Sequence, residues 1–369
     1  MNNKHTNMFR NPKISKYLAE RIRYISKKEI KIMEVCGTHT VAIFRSGIRS
    51  LLPTTIKLFS GPGCPVCVTA QKEIDTFIML ARRNDVIITT FGDLIRVPGS
   101  FSTLQKEKAN GADIRIVYST FDALSIAKKN LNKKIIFLGI GFETTTPTIA
   151  AAIMIAKQEG VKNFYVISAH KLVPPVLESL AQKEEVNIDG LILPGHVSSI
   201  IGLNSYKSFF NQYQMPCVIT GFEPTDLLRA IYMLVCQIES EKPKLQNAYT
   251  RAVSFEGNLT AMQLVTEIFD VHDSYWRGIG SIPKSGLIFK KKYAAFDAKA
   301  VFDVEYKDSY EPQGCDCGKI LLGIKIPPQC SLYETHCTPA TPIGPCMVSS
   351  EGTCATYYRY TYNNHDVLI

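Results

Sequence analysis

The sequence lacks any run of about 18 apolar residues, which is the length that a membrane-spanning helix requires. Its first fifteen residues are polar and contain no apolar segment of the kind that forms a secretory signal. The phosphate-binding patterns G-x-x-x-x-G-K-S/T and G-x-G-x-x-G are absent as well, and GIGFET at 139–144 is too short to replace them. These absences predict a cytoplasmic protein with no membrane helix, and they leave nucleotide binding without support.

Signatures of nucleic-acid-binding proteins are also missing, since no RNP, helix-turn-helix or zinc-finger pattern occurs. The chain nevertheless carries a net charge of +9, with 42 Lys and Arg against 33 Asp and Glu. Many of these basic residues lie near the N-terminus, where solvated faces are the ordinary explanation, although a basic surface also steers an acidic protein partner. We therefore expect protein partners, no nucleic acid and no membrane.

Cysteine, by contrast, is abundant, with 11 in a chain of 369 residues. Cys36 lies in VCGTHT, and Cys64 and Cys67 lie in GPGCPVC. Six more crowd the last sixty residues: Cys315, Cys317, Cys330, Cys337, Cys346 and Cys354. Because cytoplasmic proteins rarely keep structural disulfides, these thiols favour metal binding or redox chemistry.

Short β-rich runs alternate with helical stretches through the first two thirds of the chain. The runs are nearly continuous in Val, Ile, Leu and Phe, as expected for strands buried on both faces of a parallel sheet. We predict strands at 31–35, 56–60, 86–91, 114–118, 134–140, 163–169, 188–193 and 215–220. Ligands bind at the carboxyl ends of such strands, so the turns that follow them are the first candidates for a site.

The alternation predicts an α/β fold with two similar parallel-sheet domains. GFET at 141–144 and GFEP at 221–224 echo each other weakly, which favours two four-stranded halves. We place the first α/β domain, with the CGTH and CPVC turns, at 1–130. The second, with the GFETTTP and PGHVS turns, is placed at 131–240.

The pattern changes from about residue 240. A helix near 259–270 is followed by the loop-rich sequence WRGIGSIPKSG and then by a tail with many Pro, Gly and Cys residues. Such a segment builds little core of its own, and a metal cluster is the usual way to hold it. We therefore expect a third, loop-rich and helical domain at 241–369.

Cys64-Pro65-Val66-Cys67 follows a predicted strand and opens a helix. Unpaired N–H groups and the positive end of the helix dipole at such a position lower the pKa of a thiol. The two intervening residues allow a reversible disulfide. Redox chemistry is the favoured interpretation, and half of a zinc ribbon or two buried thiols without function are the alternatives.

Cys36-Gly37-Thr38-His39 also stands between a predicted strand and a helix. A lone cysteine in such a turn is often only a small buried residue. His39 changes that interpretation, because residues three apart in the first turn of a helix share a face, and a thiolate and an imidazole can bind one metal. The alternative role is deprotonation of Cys36 by His39 for nucleophilic attack.

The tail cysteines are spaced irregularly. Six residues separate Cys330 from Cys337, and sixteen separate Cys337 from Cys354. This spacing differs from the C-x2-C pairs of zinc fingers, and four thiolates on a folded loop suit a [4Fe–4S] cluster. Cys317 or Cys315 would be the fourth ligand, and a structural zinc site is the alternative.

Several single residues after predicted strands are weaker candidates. They are Asp93, Glu143, His170, His196 and Glu223. Each alone is more often a helix cap or a turn residue. His196, in LPGHVSS, is the best candidate among them to line a site, and Cys346, in PIGPCMVSSEG, is a candidate for a spare buried thiol.

With these motifs the sequence resembles the HypD family of [NiFe]-hydrogenase maturation factors, from about residue 30 to residue 360. The resemblance is carried by MEVCGTHT at 33–40, FSGPGCPVCVT at 59–69, TFGDLIRVPGS at 90–100, GADIRIVYS at 111–119, GFETTTPT at 141–148, LPGHVS at 193–198, GFEPTDLL at 221–228, YWRGIG at 275–280 and the run from CGKILLG to CATYY at 317–358. The combination of the GPGCPVC turn with this tail is specific to the family.

The resemblance implies a scaffold on which part of a hydrogenase cofactor is built. Such proteins form a complex with the small chaperone HypC, and on that complex an iron receives two cyanides and one carbon monoxide. HypE delivers the cyanides from a thiocyanate, and the Fe(CN)2CO unit then passes to the hydrogenase large subunit. The family fold has two α/β domains and a third domain that holds a [4Fe–4S] cluster.

Carried over by position, Cys36 is the protein-side ligand of the transient Fe(CN)2CO iron, with His39 beside it. Cys64 and Cys67 match the redox pair of the family. The cluster positions are matched by Cys330, Cys337, Cys354 and, as the favoured fourth ligand, Cys317, with Cys315 left open. The sequence departs from many relatives at Thr40, where another polar residue is common, so no chemical role is expected there.

A mechanism follows as a hypothesis. Release of cyanide from thiocyanate needs two electrons and a site that excludes water. A cluster would receive electrons singly, the redox pair would store two as a dithiol, and the iron at Cys36 would accept cyanide. His39 and Glu143 would manage protons, and His196 would line the site.

Two rival interpretations remain at this point. One is a ferredoxin-linked iron–sulfur thiol-disulfide oxidoreductase that acts on a partner protein. The other is a binding module with structural zinc. Whether the protein is an enzyme in its own right stays open beside its expected role as an assembly scaffold.

Overall fold

The computed structural model describes residues 9–302, 304 and 309–365, which form an α/β fold. The strands are β1 Ile30–Glu34, β2 Ile56–Ser60, β3 Val86–Thr90, β4 Ile114–Ile116, β5 Lys134–Gly139, β6 Phe164–Ser168, β7 Gly190–Pro194, β8 Cys217–Thr220, β9 Leu245–Asn247, β10 Phe269–Trp276 and β11 Gly280–Phe289. The helices are α1 Pro12–Ile25, α2 Gly37–Arg45, α3 Ile48–Leu51, α4 Pro65–Val68, α5 Gln71–Ala81, α6 Leu104–Ala109, α7 Thr120–Lys129, α8 Thr146–Gln158, α9 Val173–Ala181, α10 Gly195–Ile201, α11 Lys207–Tyr213, α12 Pro224–Glu239, α13 Leu259–Ile268, α14 Ala298–Val301, α15 Cys317–Leu321, α16 Pro345–Val348 and α17 Thr353–His365. Short 3-10 turns lie at Gly92–Leu94, Asn204–Tyr206, Lys291–Phe296 and Pro327–Gln329.

Two parallel sheets form the centre of the fold, as the continuous apolar runs predicted. Sheet one has the strand order β2-β1-β7-β8-β9, and sheet two has the order β4-β3-β5-β6. All eight predicted strands are confirmed, with ends within two residues of the prediction. β9 was not predicted, because this short edge strand has the sequence LQN and carries no apolar run.

The two sheets are interleaved along the chain. β1 pairs with both β2 and β7, so sheet one takes strands from 30–60 and from 190–247, while sheet two uses 86–168. The predicted division into 1–130 and 131–240 therefore does not follow sheet membership. The apolar run of a strand does not indicate which other strands will lie beside it. Here the chain forms β1 and β2 of sheet one, then all four strands of sheet two, and then the last three strands of sheet one.

Buried apolar side chains cover both faces of each sheet. Ile32 on one face of sheet one packs with residues of α1, α2 and α12. Phe137 on one face of sheet two packs with residues of α7 and α8. The alternate positions, such as Met33 and Ile136, belong to a third cluster that also contains the tail. Full burial of one such side chain contributes about 1.5–3 kcal/mol, so apolar packing is a large stabilising contribution to both sheets.

A β-hairpin replaces part of the region that the sequence predicted as loop. β10 and β11 pair antiparallel, with an irregularity between His272 and Ser274. Trp276 is fully buried, and its Nε1–H donates to Ser285 Oγ at 2.8 Å. The Gly, Pro, Ser and Lys residues of the second strand hide its β pattern, and Lys284 adopts a left-handed φ of 52°.

The tail packs onto the rest of the fold through short helices. α17 packs against α2, where the rings of Phe44 and Tyr357 meet edge-on with centroids 4.6 Å apart. α16 packs against α4, the helix that follows β2. None of the helices in the described ranges combines the length and the apolar content that crossing a bilayer would take.

Candidate functional site

A cleft of about 300 Å³ opens where strands of both sheets end. Its walls come from the turns after β1, β2, β3, β5 and β7 and from the tail. Residues with reactive or polar side chains in this lining include Cys36, Thr38, Asp93, Thr144, His196 and Glu351. The turns after five of the eight predicted strands therefore meet at one place, which we call the strand-end cleft.

Cys36 lies in the wall of this cleft at the N-cap of α2 and is 7% exposed. Its backbone N–H donates to Glu34 Oε2 at 3.1 Å. Burial raises the pKa of Cys36 to about 12, and the carboxyl groups of Glu351 and Glu34 act in the same direction. The thiol is therefore protonated at neutral pH, and binding of a metal ion would supply the positive charge that its thiolate needs.

The turn before Cys64 packs directly on the backbone of Cys36. Gly37 N–H donates to the Gly63 carbonyl at 2.9 Å. A Cβ atom on Gly63 would lie 2.1 Å from the Cys36 nitrogen, so only glycine allows this approach. The CGTH and GPGC turns, which are separate in sequence, are thus adjacent in space.

Cys64 and Cys67 form a disulfide at the start of α4, with their Cα atoms 5.3 Å apart. The two residues are 3% and 0% exposed, whereas Pro65 and Val66 between them line the cleft. The bonded pair therefore lies just behind the cleft wall. A disulfide leaves no thiolate for half of a zinc ribbon, and it agrees with the redox interpretation.

His39 is fully buried and does not line the strand-end cleft. Its Nε2–H donates to the Gly221 carbonyl at 3.1 Å, and its ring centroid is 4.8 Å from that of Phe222. Burial, with a smaller effect of His196, lowers the pKa of His39 to about 3. Joint binding of a metal by Cys36 and His39 stays a prediction, and the Nδ1 atom of His39 has no hydrogen-bond partner among the described residues.

His196 lines the strand-end cleft, as predicted. Its ring stacks on Phe222 with centroids 3.8 Å apart. Burial lowers the pKa of His196, so the imidazole in the cleft is neutral at neutral pH. Phe222 thus lies in contact with both histidine rings, and His196 is the one of the pair that faces the cleft.

Glu143 lies behind the cleft wall, between the lining residues Phe142 and Thr144. Its Oε1 accepts from the Val173 N–H at 2.8 Å, and its Oε2 has no hydrogen-bond partner among the described residues. Burial raises the pKa of Glu143 to about 7. A carboxyl group that changes charge near neutral pH is suited to proton transfer.

Glu34 is a buried carboxyl group that the sequence did not single out. It accepts hydrogen bonds from the Thr40 hydroxyl and from the Cys36 N–H. Burial raises the pKa of Glu34 to about 8. Thr40, for which no chemical role was expected, supports this carboxyl group beneath Cys36.

Glu351 is the second carboxyl group that the sequence missed. It lines the cleft from the tail and accepts a hydrogen bond from the Thr38 hydroxyl. Nearby, Asp93 Oδ2 accepts from Ser349 Oγ at 3.0 Å and so ties the turn after β3 to the tail. Burial raises the pKa of Glu351, and the charge of Asp93 adds to the rise. The available signal was its position in the family-like run from CMVSSEG to CATYY.

Two other candidate residues lie outside the strand-end cleft. The His170 ring hydrogen-bonds Ser168 Oγ at 3.0 Å and borders a separate cavity of about 700 Å³. Glu223 caps α12 and pairs with Arg10 at 2.8 Å. Both fit the simpler interpretation of residues that stabilise turns and caps.

The tail cysteines surround a second site, which we call the cysteine chamber. It is a cavity of about 10 Å³, room for about one water molecule, among apolar side chains. The cysteines that line it are Cys315, Cys317, Cys330, Cys337, Cys346 and Cys354. The predicted cluster residues therefore converge, and Cys346, expected as a spare buried thiol, lies with them: its Sγ is 3.0 Å from that of Cys317.

The donor set of the chamber suits a soft metal, although its thiols are packed together. Hydrogen bonding to Cys317, with burial, raises the pKa of Cys315 above its ordinary value. Among the described residues, no group of three or more His, Cys, Asp or Glu side chains is arranged to hold a metal ion. Four thiolates in an apolar enclosure fit an iron–sulfur cluster in kind, provided that the thiols ionise and move apart.

The chamber and the disulfide are neighbours. α16, which carries Cys346, packs on α4, which carries Cys67. In addition, Arg277 N–H donates to the Val68 carbonyl at 2.9 Å. The two groups of thiols are therefore connected through one packed region of the molecule.

Comparison with known proteins gives a consistent result over almost the whole chain. Residues 13–361 match the family described as HypD: Hydrogenase formation hypA family. The chain is 45% identical to the hydrogenase maturation factor HypD2 of Bradyrhizobium diazoefficiens over 97% of each chain. It is 43% identical to the hydrogenase maturation factor HypD of Cupriavidus necator, over 97% of each chain, and 43% identical to that of Escherichia coli, over 93% of this chain and 92% of the relative.

The fold and its two sites define a thiol-rich α/β protein with cysteines at strand ends and in a packed tail. The comparisons make the assignment specific. The chain belongs to the HypD family of hydrogenase maturation factors, which confirms the resemblance seen in the sequence motifs.

Proposed function

We propose that this protein is the scaffold and redox-active factor on which the Fe(CN)2CO unit of [NiFe]-hydrogenase is assembled, in complex with HypC and with cyanide received from HypE. The observation that carries the proposal is the contact of the Cys36 and Cys64 turns at the strand-end cleft. It brings a candidate iron ligand next to a two-electron thiol pair. Family membership supports the setting, which is hydrogenase maturation.

The strand-end cleft suits an iron that arrives as substrate. Cys36 offers a soft donor in a largely buried wall, and the protonated thiol would ionise on binding the cation. The cleft opens to the surface, so a thiolate from HypC would complete the iron coordination from outside. We therefore assign Cys36 as the ligand on this chain.

Cyanide release requires two electrons, and the cysteine pair can supply them. In the reduced state, Cys64 and Cys67 carry two thiols. Their oxidation to the disulfide releases two electrons and two protons, while the S–CN bond of a HypE thiocyanate breaks to give a thiol and cyanide, so electrons and atoms balance with one proton left over. The cyanide then binds the iron beside Cys36, where the apolar wall keeps it from water.

The proton left over needs an acceptor in the same region. His196 is neutral and lines the cleft, so it is a direct candidate. Glu143, with a pKa raised to about 7, is a second acceptor behind the wall. His39 is a weaker candidate than its sequence position indicated, because its ring is turned to Gly221.

The disulfide must be reduced again after each cycle. Cys330, Cys337, Cys354 and Cys317 or Cys315 would hold a [4Fe–4S] cluster, which would supply single electrons. The packing on α4 of α16, which carries Cys346 of the same chamber, would keep such a cluster close to the Cys64–Cys67 pair. Cys346 is a further thiol available in the same chamber.

Replacement of Cys36 tests the proposal. The protein is purified anaerobically with HypC, and infrared spectra are recorded in the cyanide region. We expect Cys36→Ala to fold and to retain any cluster absorption near 400 nm, but to lack Fe–CN bands. Cys236→Ala is the matched control, because this half-buried thiol lies outside both sites and its loss should leave the bands unchanged. Bands that persist in Cys36→Ala would show that Cys36 is not the ligand.

The ferredoxin-linked thiol-disulfide oxidoreductase is the second candidate function, and the disulfide next to the chamber favours it. Such an enzyme would turn over a disulfide of a partner protein and would need no iron beyond its cluster. The burial of the Cys64–Cys67 pair limits the access of a protein disulfide and of a protein-borne thiocyanate alike, so it does not separate the two functions. Measured turnover with a protein disulfide, in the absence of Fe–CN bands, would favour the oxidoreductase.

A further inference from the structure

Arg277 is a buried cation that the function described above does not use. It follows the last residue of β10 and is 3% exposed. Its backbone N–H donates to the Val68 carbonyl and its Nε–H donates to the Thr69 carbonyl, each at 2.9 Å. The backbone and the guanidinium of Arg277 thus each bind one carbonyl group at the end of α4, the helix of the Cys64–Cys67 pair.

A second nitrogen of this guanidinium, Nη2, is not used in these hydrogen bonds. Its Nη2 is buried and has no hydrogen-bond partner among the described residues. The loop that carries Arg277 packs tightly on the loop that carries Cys317, since a Cβ atom on Gly278 would lie 2.3 Å from the Gly318 Cα. Only two glycines allow this approach, and it brings Arg277 next to the cysteine chamber.

The ionisable groups around Arg277 are three thiols of the chamber and the exposed carboxyl group of Glu311. Burial lowers the pKa of Arg277, whereas Cys317, Glu311, Cys315 and Cys346 raise it. Glu311 acts on this guanidinium through its charge, without a hydrogen bond, and its side chain is exposed to solvent. A solvent-screened carboxylate compensates a buried cation only in part, so the position of Arg277 favours a further anion nearby.

Thiolates that hold a metal cluster would be that anion. Four thiolates give a cluster a net negative charge, which a buried environment destabilises unless a cation lies close by. Addition of an electron makes the charge more negative still. A fixed positive charge at the chamber wall therefore favours the reduced state over the oxidised one.

We infer that Arg277 is a positioning residue that balances the negative charge of a cluster in the cysteine chamber and thereby raises its reduction potential. This inference rests on the cluster of the proposed function. Because the same side chain binds the end of α4, it also fixes the Cys64–Cys67 helix against the chamber. The charge and the hydrogen bonds can be separated by the choice of substitution.

The test is a reduction titration of the anaerobically purified full chain, monitored by absorption and electron paramagnetic resonance. Iron and sulfide are measured first in each variant. We expect Arg277→Gln, which keeps a hydrogen-bond donor and loses the charge, to lower the equilibrium constant for one-electron reduction at least tenfold, which is a shift of 59 mV to lower potential. Arg277→Lys keeps the charge and should stay within threefold of the original protein.

Arg359→Gln is the matched control. It removes an exposed cation from α17, the helix that carries Cys354, and solvent screening should keep its effect below twofold. Loss of the cluster from Arg277→Gln together with its retention in Arg277→Lys would also support the role, since it would show that the charge is needed to hold the cluster.

The possible failures are distinguishable. An intact cluster with an unchanged potential in Arg277→Gln would overturn the role of Arg277 and leave the proposed function in place. Equal loss of the cluster from both variants would show that Arg277 acts through its shape and hydrogen bonds, and would also overturn the inference. Zinc without sulfide in the original protein would overturn the cluster and this role together, while Fe–CN bands would still test the scaffold separately.

Discussion

The strand-end cleft and the cysteine chamber both contain cysteines, but they differ in the number of thiols and in the space around them. In the cleft, one thiol and one disulfide lie along a space of about 300 Å³ with a histidine and carboxyl groups in or behind its walls. In the chamber, six thiols surround about 10 Å³ and share it with apolar side chains. An open site with few thiols suits a ligand that comes and goes, whereas a closed site with many thiols suits a resident group.

The supports of the two sites differ as well. The cleft is built on the ends of strands whose cores are filled by buried Ile, Val, Leu and Phe side chains. The chamber is built from short helices and loops, and its cysteines contribute to the apolar cluster themselves. The difference teaches that the strands of the fold support the cleft, while packing of the cysteines with apolar side chains supports the chamber.

The largest expected effect comes from breaking the chamber. We predict that Cys337→Ala loses nearly all iron and sulfide and the absorption near 400 nm, because a cluster ligand is removed. Far-ultraviolet circular dichroism should stay close to that of the original protein, since the sheets do not need the chamber. Cys236→Ala serves again as the control. Full cluster content in Cys337→Ala, with loss in Cys346→Ala, would transfer the ligand role to Cys346.

A pH titration of stability probes the cleft, because buried carboxyl groups lie beneath it. Burial raises the pKa of Glu34 to about 8 and that of Glu143 to about 7. The folded state therefore keeps these protons at pH values where the unfolded state has lost them, so this stability is present at low pH and is lost as the pH rises through 7 and 8. His39, with its pKa lowered to about 3, acts in the opposite sense and only below its unfolded value near 6.5.

We predict that the free energy of unfolding falls by about 2–3 kcal/mol between pH 6.5 and pH 8.5, at roughly 1.4 kcal/mol per unit of pKa difference. Glu34→Gln should reduce that fall to about 1 kcal/mol, because its amide does not titrate. Urea unfolding at the two pH values measures the difference. Glu107→Gln is the control, since Arg82 lowers the pKa of Glu107 and this group does not titrate in the window. An unchanged fall in Glu34→Gln would exclude Glu34 as its source.

The smallest of these effects tests the contact between the two turns of the cleft. We predict that Gly63→Ala costs about 1–3 kcal/mol of unfolding free energy, because its Cβ would collide with the Cys36 backbone. Gly92→Ala, in the same cleft, should have little effect because the nearest atom to its Cβ is 3.8 Å away. Chemical denaturation of both variants makes the comparison. Equal stability of the two would show that the turns separate easily.

Much of the fold could be read from the sequence because its strands are fully buried. A short, nearly continuous apolar run such as KIIFLG, which forms β5, is typical of a strand that is buried on both faces of a parallel sheet. The pairing of β1 with β7 could not be read, because a buried apolar strand looks the same beside any neighbour. The hairpin β10–β11 was missed for the opposite reason, since its Gly, Pro and Ser residues resemble a loop.

The sequence predicted which turns form the candidate site better than it predicted which side chains line it. Cys36 and His196 line the cleft as expected from their places after strands. His39 does not, because its ring is buried against Phe222 and donates to the Gly221 carbonyl. Glu351 lies far along the chain, and only packing of the tail on the sheets brings it to the cleft.

The interleaving of the sheets also has a consequence for synthesis. As the chain leaves the ribosome, the turns with Cys36, Cys64 and Cys67 emerge first, but β1 cannot gain its partner β7 until the whole of sheet two has been made. The nascent chain therefore exposes its reactive sulfurs for a time without the wall that later covers them. In the proposed function, iron would be captured in an ordered way only after β7 and β8 have joined β1 and β2, so folding would precede loading.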